Sequence, residues 1–175
     1  WATGRHSRAS VGDVNLGAWH DYRAGLAERY IRLNDPHVKM PPETPAKAPK
    51  LTGKDGKPLE YVDGDGVSHR IVLTDKAWNH ILYGDVDDNG YHGGHMAGYG
   101  WVQAESRTHG GTEFPQDMDQ DDIARALFGA CKQCIARGGF SRNGNAVTVN
   151  GKAATLVTSL GKGGKINIKS FYLGM

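Results

Sequence analysis

The sequence predicts an α+β fold in which antiparallel β-sheets are flanked by helices. Alternating apolar and polar segments are joined by glycine-containing turns in two regions, which is typical of β-hairpins. Other segments carry apolar side chains at helical spacing. With 175 residues, the chain has about the length of one domain with a single core.

The first third of the chain combines a predicted helix with a proline-rich stretch. Apolar side chains recur at helical spacing over residues 14–33, with an expected interruption near Gly25. Six of the seven prolines then lie between Pro36 and Pro58, a composition typical of a linker or an extended arm rather than a core element. The predicted divisions are an N-terminal helical segment at 1–35, a proline-rich linker or arm at 36–58 and the main domain at 59–175.

The main domain begins with a predicted hairpin and a short helix. Two apolar runs flank an Asp-Gly-Asp-Gly turn at residues 63–66, which indicates a β-hairpin. Thr74 is a favourable N-cap, and the helix after it is expected to end near Gly84. Residues 84–111 contain eight glycines, so this stretch is not a regular helix and its backbone must approach something closely.

The last third predicts a helix followed by a three-stranded β-meander. Helical periodicity resumes over residues 117–135, with four aspartates in the first turns, where the helix dipole favours negative charge. Asn150-Gly151 is a strong hairpin signal, and a second glycine-rich turn follows it. The predicted strands cover residues 146–149, 153–160 and 166–173.

The small net charge of +2 conceals a segregation of charge along the chain. Residues 85–122 hold nine acidic side chains and one basic side chain, Arg107. Residues 123–175 hold eight basic side chains and no acidic one. Such asymmetry points to nucleic acid or another acidic partner for the basic third.

Several classes of protein are excluded by composition. No apolar run approaches the roughly 18 residues of a membrane-spanning helix. The start of the chain, at Trp1, lacks both Met and a signal-peptide pattern, so we expect a segment of a longer protein. Cys131 and Cys134 are too few for a disulfide framework, and without a second pair they make a poor zinc site. We expect two small helix residues or one local disulfide.

Half of the eight histidines lie within 30 residues of each other, at His80, His92, His95 and His109. Acid–base catalysis is one interpretation, because a neutral imidazole accepts a proton while an imidazolium donates one near physiological pH. RNA cleavage needs such a pair: a base for the ribose 2′-hydroxyl and an acid for the departing 5′-oxygen.

A metal site is the other interpretation of this region. Residues 85–90 match the opening of an EF-hand loop, but its twelfth position is Met96 instead of Glu. His92 and His95 have the spacing of a zinc-ligand pair, but no second pair follows. The sequence therefore favours a site without a metal or other cofactor.

Four motifs occur in order over about residues 75–173. They are Asn79-His80-Ile81-Leu82-Tyr83-Gly84-Asp85, Gly93-Gly94-His95, Gly111-Thr112-Glu113-Phe114-Pro115 and Ser170-Phe171-Tyr172. Together they resemble the EndoU endoribonuclease superfamily. The first two are similar to the coronavirus members, with the same separation of 15 residues between the histidines. The third resembles the bacterial EndoU toxins, and the fourth resembles the family's ending.

The resemblance implies an EndoU/RNase A-like fold with the active cleft between the sheets, and a metal-independent endoribonuclease. It implies that His95 is the general base and His80 the general acid. The other implied contacts are a backbone N–H of Gly93 or Gly94 to the phosphate, Tyr172 against the ribose, and Thr112 and Ser170 near the base.

The Lys of the family's His-His-Lys set is missing from its usual place. Bacterial relatives carry it just before the Ser/Thr-x-Phe-Pro stretch, where this chain has Arg107 and His109 but no Lys. We expect Arg107 or His109 to substitute, although Arg does not readily lose a proton. The alternative is a lysine from the basic third, with three unranked candidates: Lys132, Lys152 and Lys165.

The resemblance also implies a biological role. It is that of a toxin at the C-terminus of a secreted or cell-surface contact-dependent inhibition protein, acting in the target-cell cytoplasm. Its substrate would be cellular RNA, tRNA above all, and the product would be a 2′,3′-cyclic phosphate. From the charge distribution, we expect the RNA to lie along the lysines and arginines of residues 132–169. A cognate immunity protein would neutralise it. The alternatives are a Ca²⁺-, Zn²⁺- or RNA-binding module without catalysis, and a metal-dependent nuclease.

Overall fold

The computed structural model describes residues 9–33, 39–87, 90–100 and 113–174. The helices in these ranges are α1 (Leu16–Leu33), α2 (Asp75–Leu82) and α3 (Gln120–Ala136). The strands are β1 (Ser10–Val11), β2 (Val14–Asn15), β3 (Glu60–Val62), β4 (Ser68–Val72), β5 (Asp85–Asp87), β6 (Gly90–His92), β7 (Asn143–Val149), β8 (Lys152–Leu160) and β9 (Ile166–Leu173). This mixture confirms the predicted α+β class.

The central sheet has five strands in the order β3–β4–β9–β8–β7. The predicted hairpin β3–β4 and the predicted meander β7–β8–β9 are both present and antiparallel. Strand β4 pairs with β9 in parallel, with Ile71 opposite Ile166. This parallel pairing, which the sequence did not predict, joins the hairpin to the meander and puts β9 in the middle of the sheet.

Strand β9 contains a bulge that changes which side chains it exposes. Its pairing with β8 shifts between Ile168 and Ser170, so Lys169 is an extra residue. A bulge interrupts the two-residue alternation of a strand. Ile168 is buried before it and Phe171 after it, so Ser170 and Tyr172 fall on positions that are only partly covered.

Helix α3 is present as the sequence predicts, but it begins at Gln120, three residues after the predicted start. Its aspartates form a capping box, in which the Asp119 carboxylate accepts from the Asp122 amide (2.9 Å) and the Asp122 carboxylate accepts from the Asp119 amide (3.1 Å). Cys131 and Cys134 are free and buried on its inner face. Burial raises the pKa of the Cys131 thiol to about 12 and raises the pKa of Cys134 as well. Both are therefore inert thiols in the core.

Helix α1 runs through Gly25 without a break, so the predicted interruption is wrong. A glycine inside a helix costs only about 1 kcal/mol relative to alanine. The burial of Trp19 and Leu26 on either side of it, at 5% and 0% exposure, outweighs that cost because packing supplies most of the stability of protein helices.

The described part of the proline-rich stretch is an extended arm fastened to helix α2. It contains no helix or strand beyond one isolated bridge. The side-chain amide of Asn79 exchanges two hydrogen bonds with the backbone of Ala46, each 2.8 Å long. Leu51 is only 8% exposed and belongs to the core, contrary to the expectation that this stretch contributes nothing to it. The domain boundaries stay a prediction.

His69 ties the β3–β4 hairpin to the turn before β9. Its Nδ1 lies 2.7 Å from the Gly164 carbonyl oxygen, and its Nε2 lies 2.7 Å from a carboxylate oxygen of Asp63. Both partners are acceptors, so the ring forms both hydrogen bonds only when both nitrogens are protonated. The hydrogen bond between the two side chains raises the pKa of His69 and lowers the pKa of Asp63.

We expect the stability to depend on pH through this pair. The folded-state pKa of His69 is raised, so its stabilisation is complete below about pH 6.5 and is lost as the pH rises through the folded pKa. Asp63 has a lowered pKa, so its stabilisation is present above its unfolded pKa and is lost in acid. The difference between the melting temperatures of the wild type and His69→Gln should therefore shrink as the pH rises from about 5 to about 9. A constant difference would contradict the assignment.

Candidate functional site

The last turn of α2 and the segment 94–96 form the centre of the candidate site. Three successive backbone hydrogen bonds join them, from Gly94 to His80 (3.0 Å), from His95 to Ile81 (2.7 Å) and from Met96 to Leu82 (3.3 Å). The last carbonyl groups of a helix have no partner within the helix, and this segment satisfies them. The two predicted catalytic histidines therefore belong to adjacent hydrogen-bonded segments.

Gly93 and Gly94 allow this close approach. Both have a positive φ, +80° and +77°, a conformation that side chains disfavour. A Cβ atom on Gly93 would lie 2.9 Å from Cε1 and 3.0 Å from Nδ1 of His80. A Cβ atom on Gly94 would collide with the carbonyl oxygen of Tyr99. The two glycines thus have a structural task that is independent of any phosphate contact.

The chain between the two motifs forms the β5–β6 hairpin, in which Asp85 lies opposite His92. An EF-hand loop leads into a second helix, whereas here the chain enters strand β6, so the EF-hand interpretation is wrong. In the described ranges, no group of three or more His, Cys, Asp and Glu side chains has the arrangement of a metal site.

Asp85 lies beside the imidazole of His80. Its Oδ1 lies 3.2 Å from Nδ1 of His80, whose side chain is 19% exposed. A carboxylate that accepts a hydrogen bond from one ring nitrogen would fix the tautomer with the proton there and would leave Nε2 to a ligand. From the sequence, Asp85 was considered only as the first ligand of an EF-hand loop, although the first motif also ends with it.

An open groove of about 610 Å³ lies between α2 and β9, and we call it the α2–β9 groove. His80, Asp85 and His92 line one side, and Lys169 and Ser170 line the other. Asp85 and His92 belong to the acidic segment 85–122, whereas Lys169 and Ser170 belong to the basic segment 123–175. The groove therefore occupies the junction of the two charged regions.

Two lysines that were not among the candidates for the missing Lys line this groove. Lys169 is the bulge residue of β9, and Lys76 lies one turn before His80 on α2. Positions four residues apart share a helix face, so Lys76 was accessible to sequence reasoning, whereas the bulge was not. The three lysines that the sequence proposed do not line the groove: Lys132, Lys152 and Lys165.

His95 is more enclosed than His80. It is 3% exposed, and its ring lies against the ring of Tyr172, with 5.1 Å between centroids and 32° between planes. His80 and Ser170 line the α2–β9 groove, whereas His95 and Tyr172, whose rings are in contact, are not among the residues that line it. His92, which the sequence analysis considered as a metal ligand, is exposed and lines the groove beside His80.

Three predicted site residues, Arg107, His109 and Thr112, lie outside the described residues. Glu113, the next residue, accepts hydrogen bonds from the amides of Gly98 (3.2 Å) and Gly100 (2.7 Å).

Comparison with known proteins gives no relative: no protein family, curated protein or solved structure matches this chain. None of the helices within the described ranges is both long and apolar enough to cross a bilayer.

We expect Gly93→Ala to destabilise the fold by about 1–3 kcal/mol, because it forces a side chain into a positive-φ conformation and against the carbonyl oxygen and the ring of His80. Gly129→Ala is the matched control. A Cβ atom on Gly129, which lies within α3, would meet nothing within 4 Å, so alanine should stabilise by up to about 1 kcal/mol. Urea unfolding measures both, and equal midpoints for the two variants would contradict the packing argument.

Proposed function

We propose that the protein is a metal-independent endoribonuclease of the EndoU type, with an EndoU/RNase A-like fold. The observation that carries the proposal is the backbone ladder at the end of α2, which joins the segments of His80 and His95. Tyr172 and Ser170 reach these segments from the middle strand of the sheet. The resemblance implies these same groups for the site: two histidines, an aromatic ring and a hydroxyl.

The proposed reaction is a transphosphorylation. His95 takes the proton of the ribose 2′-hydroxyl, and the 2′-oxygen forms a bond to phosphorus. The bond from phosphorus to the 5′-oxygen breaks, and protonated His80 gives its proton to that oxygen. The products are a 2′,3′-cyclic phosphate and a 5′-hydroxyl, without a water molecule or a further reactant. Asp85, whose Oδ1 lies 3.2 Å from Nδ1 of His80, is proposed to hold the ring in place for this transfer.

The cation that neutralises the phosphate is proposed to come from the α2–β9 groove. Lys169 and Lys76 both line it together with His80, and a positive charge aimed at the developing phosphorane charge stabilises the transition state. Either lysine would supply the positive charge of the family's missing Lys, so that neither Arg107 nor His109 would be needed for it.

The toxin role, the tRNA substrate and the immunity protein are proposed on the resemblance alone. The charge distribution supports an RNA substrate, because residues 123–175 carry eight basic and no acidic side chains. Phosphate contacts from such a surface make binding fall steeply with salt concentration.

The first test compares two substrates for His80→Ala and His95→Ala. RNA cleavage should fall by about 10²–10⁴-fold in both variants. A nucleoside 3′-(4-nitrophenyl phosphate) has a leaving group that departs without a proton, so only His95→Ala should lose activity on it. Product ends should be 2′,3′-cyclic phosphate and 5′-hydroxyl, and EDTA should leave the rate unchanged.

His92→Ala is the matched control for this test, because His92 lines the same groove. Unchanged cleavage is expected. If His92→Ala abolishes cleavage of both substrates while His95→Ala does not, the base is His92. Full RNA cleavage by His80→Ala, or 3′-hydroxyl products, would refute the mechanism.

The second test concerns the cation. Lys169→Ala or Lys76→Ala should lower kcat for RNA by about a hundredfold, because one charge on the transition state is lost. Lys132→Ala, on α3 and away from the groove, should alter only the salt dependence. If all three variants keep the wild-type kcat, the catalytic cation lies outside the groove.

A further inference from the structure

A second opening lies on the other side of His80, between α1 and α2. This α1–α2 cleft has a volume of about 590 Å³, within the range of about 300–1,000 Å³ that small-molecule sites occupy. Lys76, His80 and Asp85 line both this cleft and the α2–β9 groove. His80 therefore lies on the boundary between the α1–α2 cleft and the α2–β9 groove.

The walls of the cleft are suited to a flat apolar ring. Val14 and Ala18 contribute accessible apolar surface, whereas Trp19 and Leu26, which also line the cleft, are 5% and 0% exposed. Tyr22 also lines the cleft, and its hydroxyl donates to the Tyr83 carbonyl oxygen (3.1 Å). Burial raises the pKa of Tyr22, so its hydroxyl remains neutral. This side of the cleft therefore offers no anionic phenolate to a ligand.

Away from Lys76 and His80, which it shares with the groove, the cleft offers hydrogen-bond acceptors. The side chain of Asn79 is already engaged at both its oxygen and its nitrogen. The Asp21 carboxylate lies at the exposed rim and has no hydrogen-bond or ion-pair partner among the described residues. A ligand that presents N–H donors at its edge matches this rim, and a phosphate does not.

We propose that the α1–α2 cleft receives the base of the nucleotide on the 3′ side of the cleaved bond, and that Asp21 favours guanine there. This inference rests on the proposed function. His80 protonates the 5′-oxygen of that nucleotide, so its nucleoside must lie beside His80. The groove on the other side holds Ser170, which the resemblance places near a base, and we assign that base to the nucleotide on the 5′ side.

Guanine is the base that the carboxylate selects by hydrogen bonding. Its adjacent N1–H and N2–H donors meet both oxygens of one carboxylate, which is a bidentate and charge-assisted arrangement. Adenine and cytosine present one amino group to the same acceptor. Uracil presents a single N–H between two carbonyl oxygens, which a carboxylate repels.

The test uses four dinucleoside monophosphates that share the 5′ nucleoside and differ in the 3′ nucleoside. The wild type should cleave the guanosine substrate with a kcat/KM about tenfold above that of the uridine substrate, as expected for one bidentate pair. Asp21→Asn should reduce this ratio towards one. Asp65→Asn, in the exposed β3–β4 turn, is the matched control and should retain the full ratio.

A second variant tests the cleft by occupancy. Ala18 is exposed on α1 and lines the cleft, so Ala18→Trp should fold and fill it. We expect the variant to lose activity on dinucleoside substrates relative to the aryl phosphate ester, which has no 3′ nucleoside.

The outcomes separate this inference from the proposed function. Equal kcat/KM values for the four 3′ nucleosides, or an unchanged ratio in Asp21→Asn, would overturn the subsite while leaving the endoribonuclease intact. No cleavage of any RNA or aryl ester by the folded wild type would overturn the endoribonuclease, and the subsite with it.

Discussion

The hydrogen bonds between residues 94–96 and the last carbonyl groups of α2 are the contact on which the candidate site depends. A helix always ends with unpaired carbonyl groups, and leaving them buried without partners would be costly. Here the main chain itself satisfies them, and it comes close enough because Gly93 and Gly94 lack side chains. The relation between the segments of His80 and His95 is therefore set by the backbone, which is more rigid than any pair of side chains.

The opposite wall depends on β9, which pairs with β8 from Ile166 to Leu173 and with β4 at Ile166 and Asn167. A strand in the middle of a sheet is held firmly, and functional groups on such elements are positioned more precisely than those on loops. The bulge at Lys169 interrupts this regularity at one point. Because of the bulge, Ser170 and Tyr172 do not fall on the buried positions that follow from Ile168 by simple alternation. The bulge residue Lys169 also adds a positive charge beside the acidic β5–β6 hairpin.

Local elements could be predicted from the sequence, and long-range relations could not. The turns and helix caps could be predicted from residues close to them in sequence: Thr74, Asn150-Gly151 and the aspartates before α3. The parallel pairing of Ile71 with Ile166 leaves no local signal, and neither does the bulge. Spacing suggested that the histidines act together, but only the resemblance paired His80 with His95, and neither spacing nor resemblance showed that Asp85 lies beside the ring of His80.

The buried thiols of α3 bear on the environments in which the fold can exist. Cys131 and Cys134 are the only cysteines of the chain, and both are free. The fold therefore requires no covalent cross-link, and its native connectivity is the same under oxidising and reducing conditions. Burial also keeps both sulfurs protonated and so poorly reactive, because it is the thiolate that attacks the disulfide of oxidised glutathione or of an oxidase. The same folded molecule is compatible with either redox compartment.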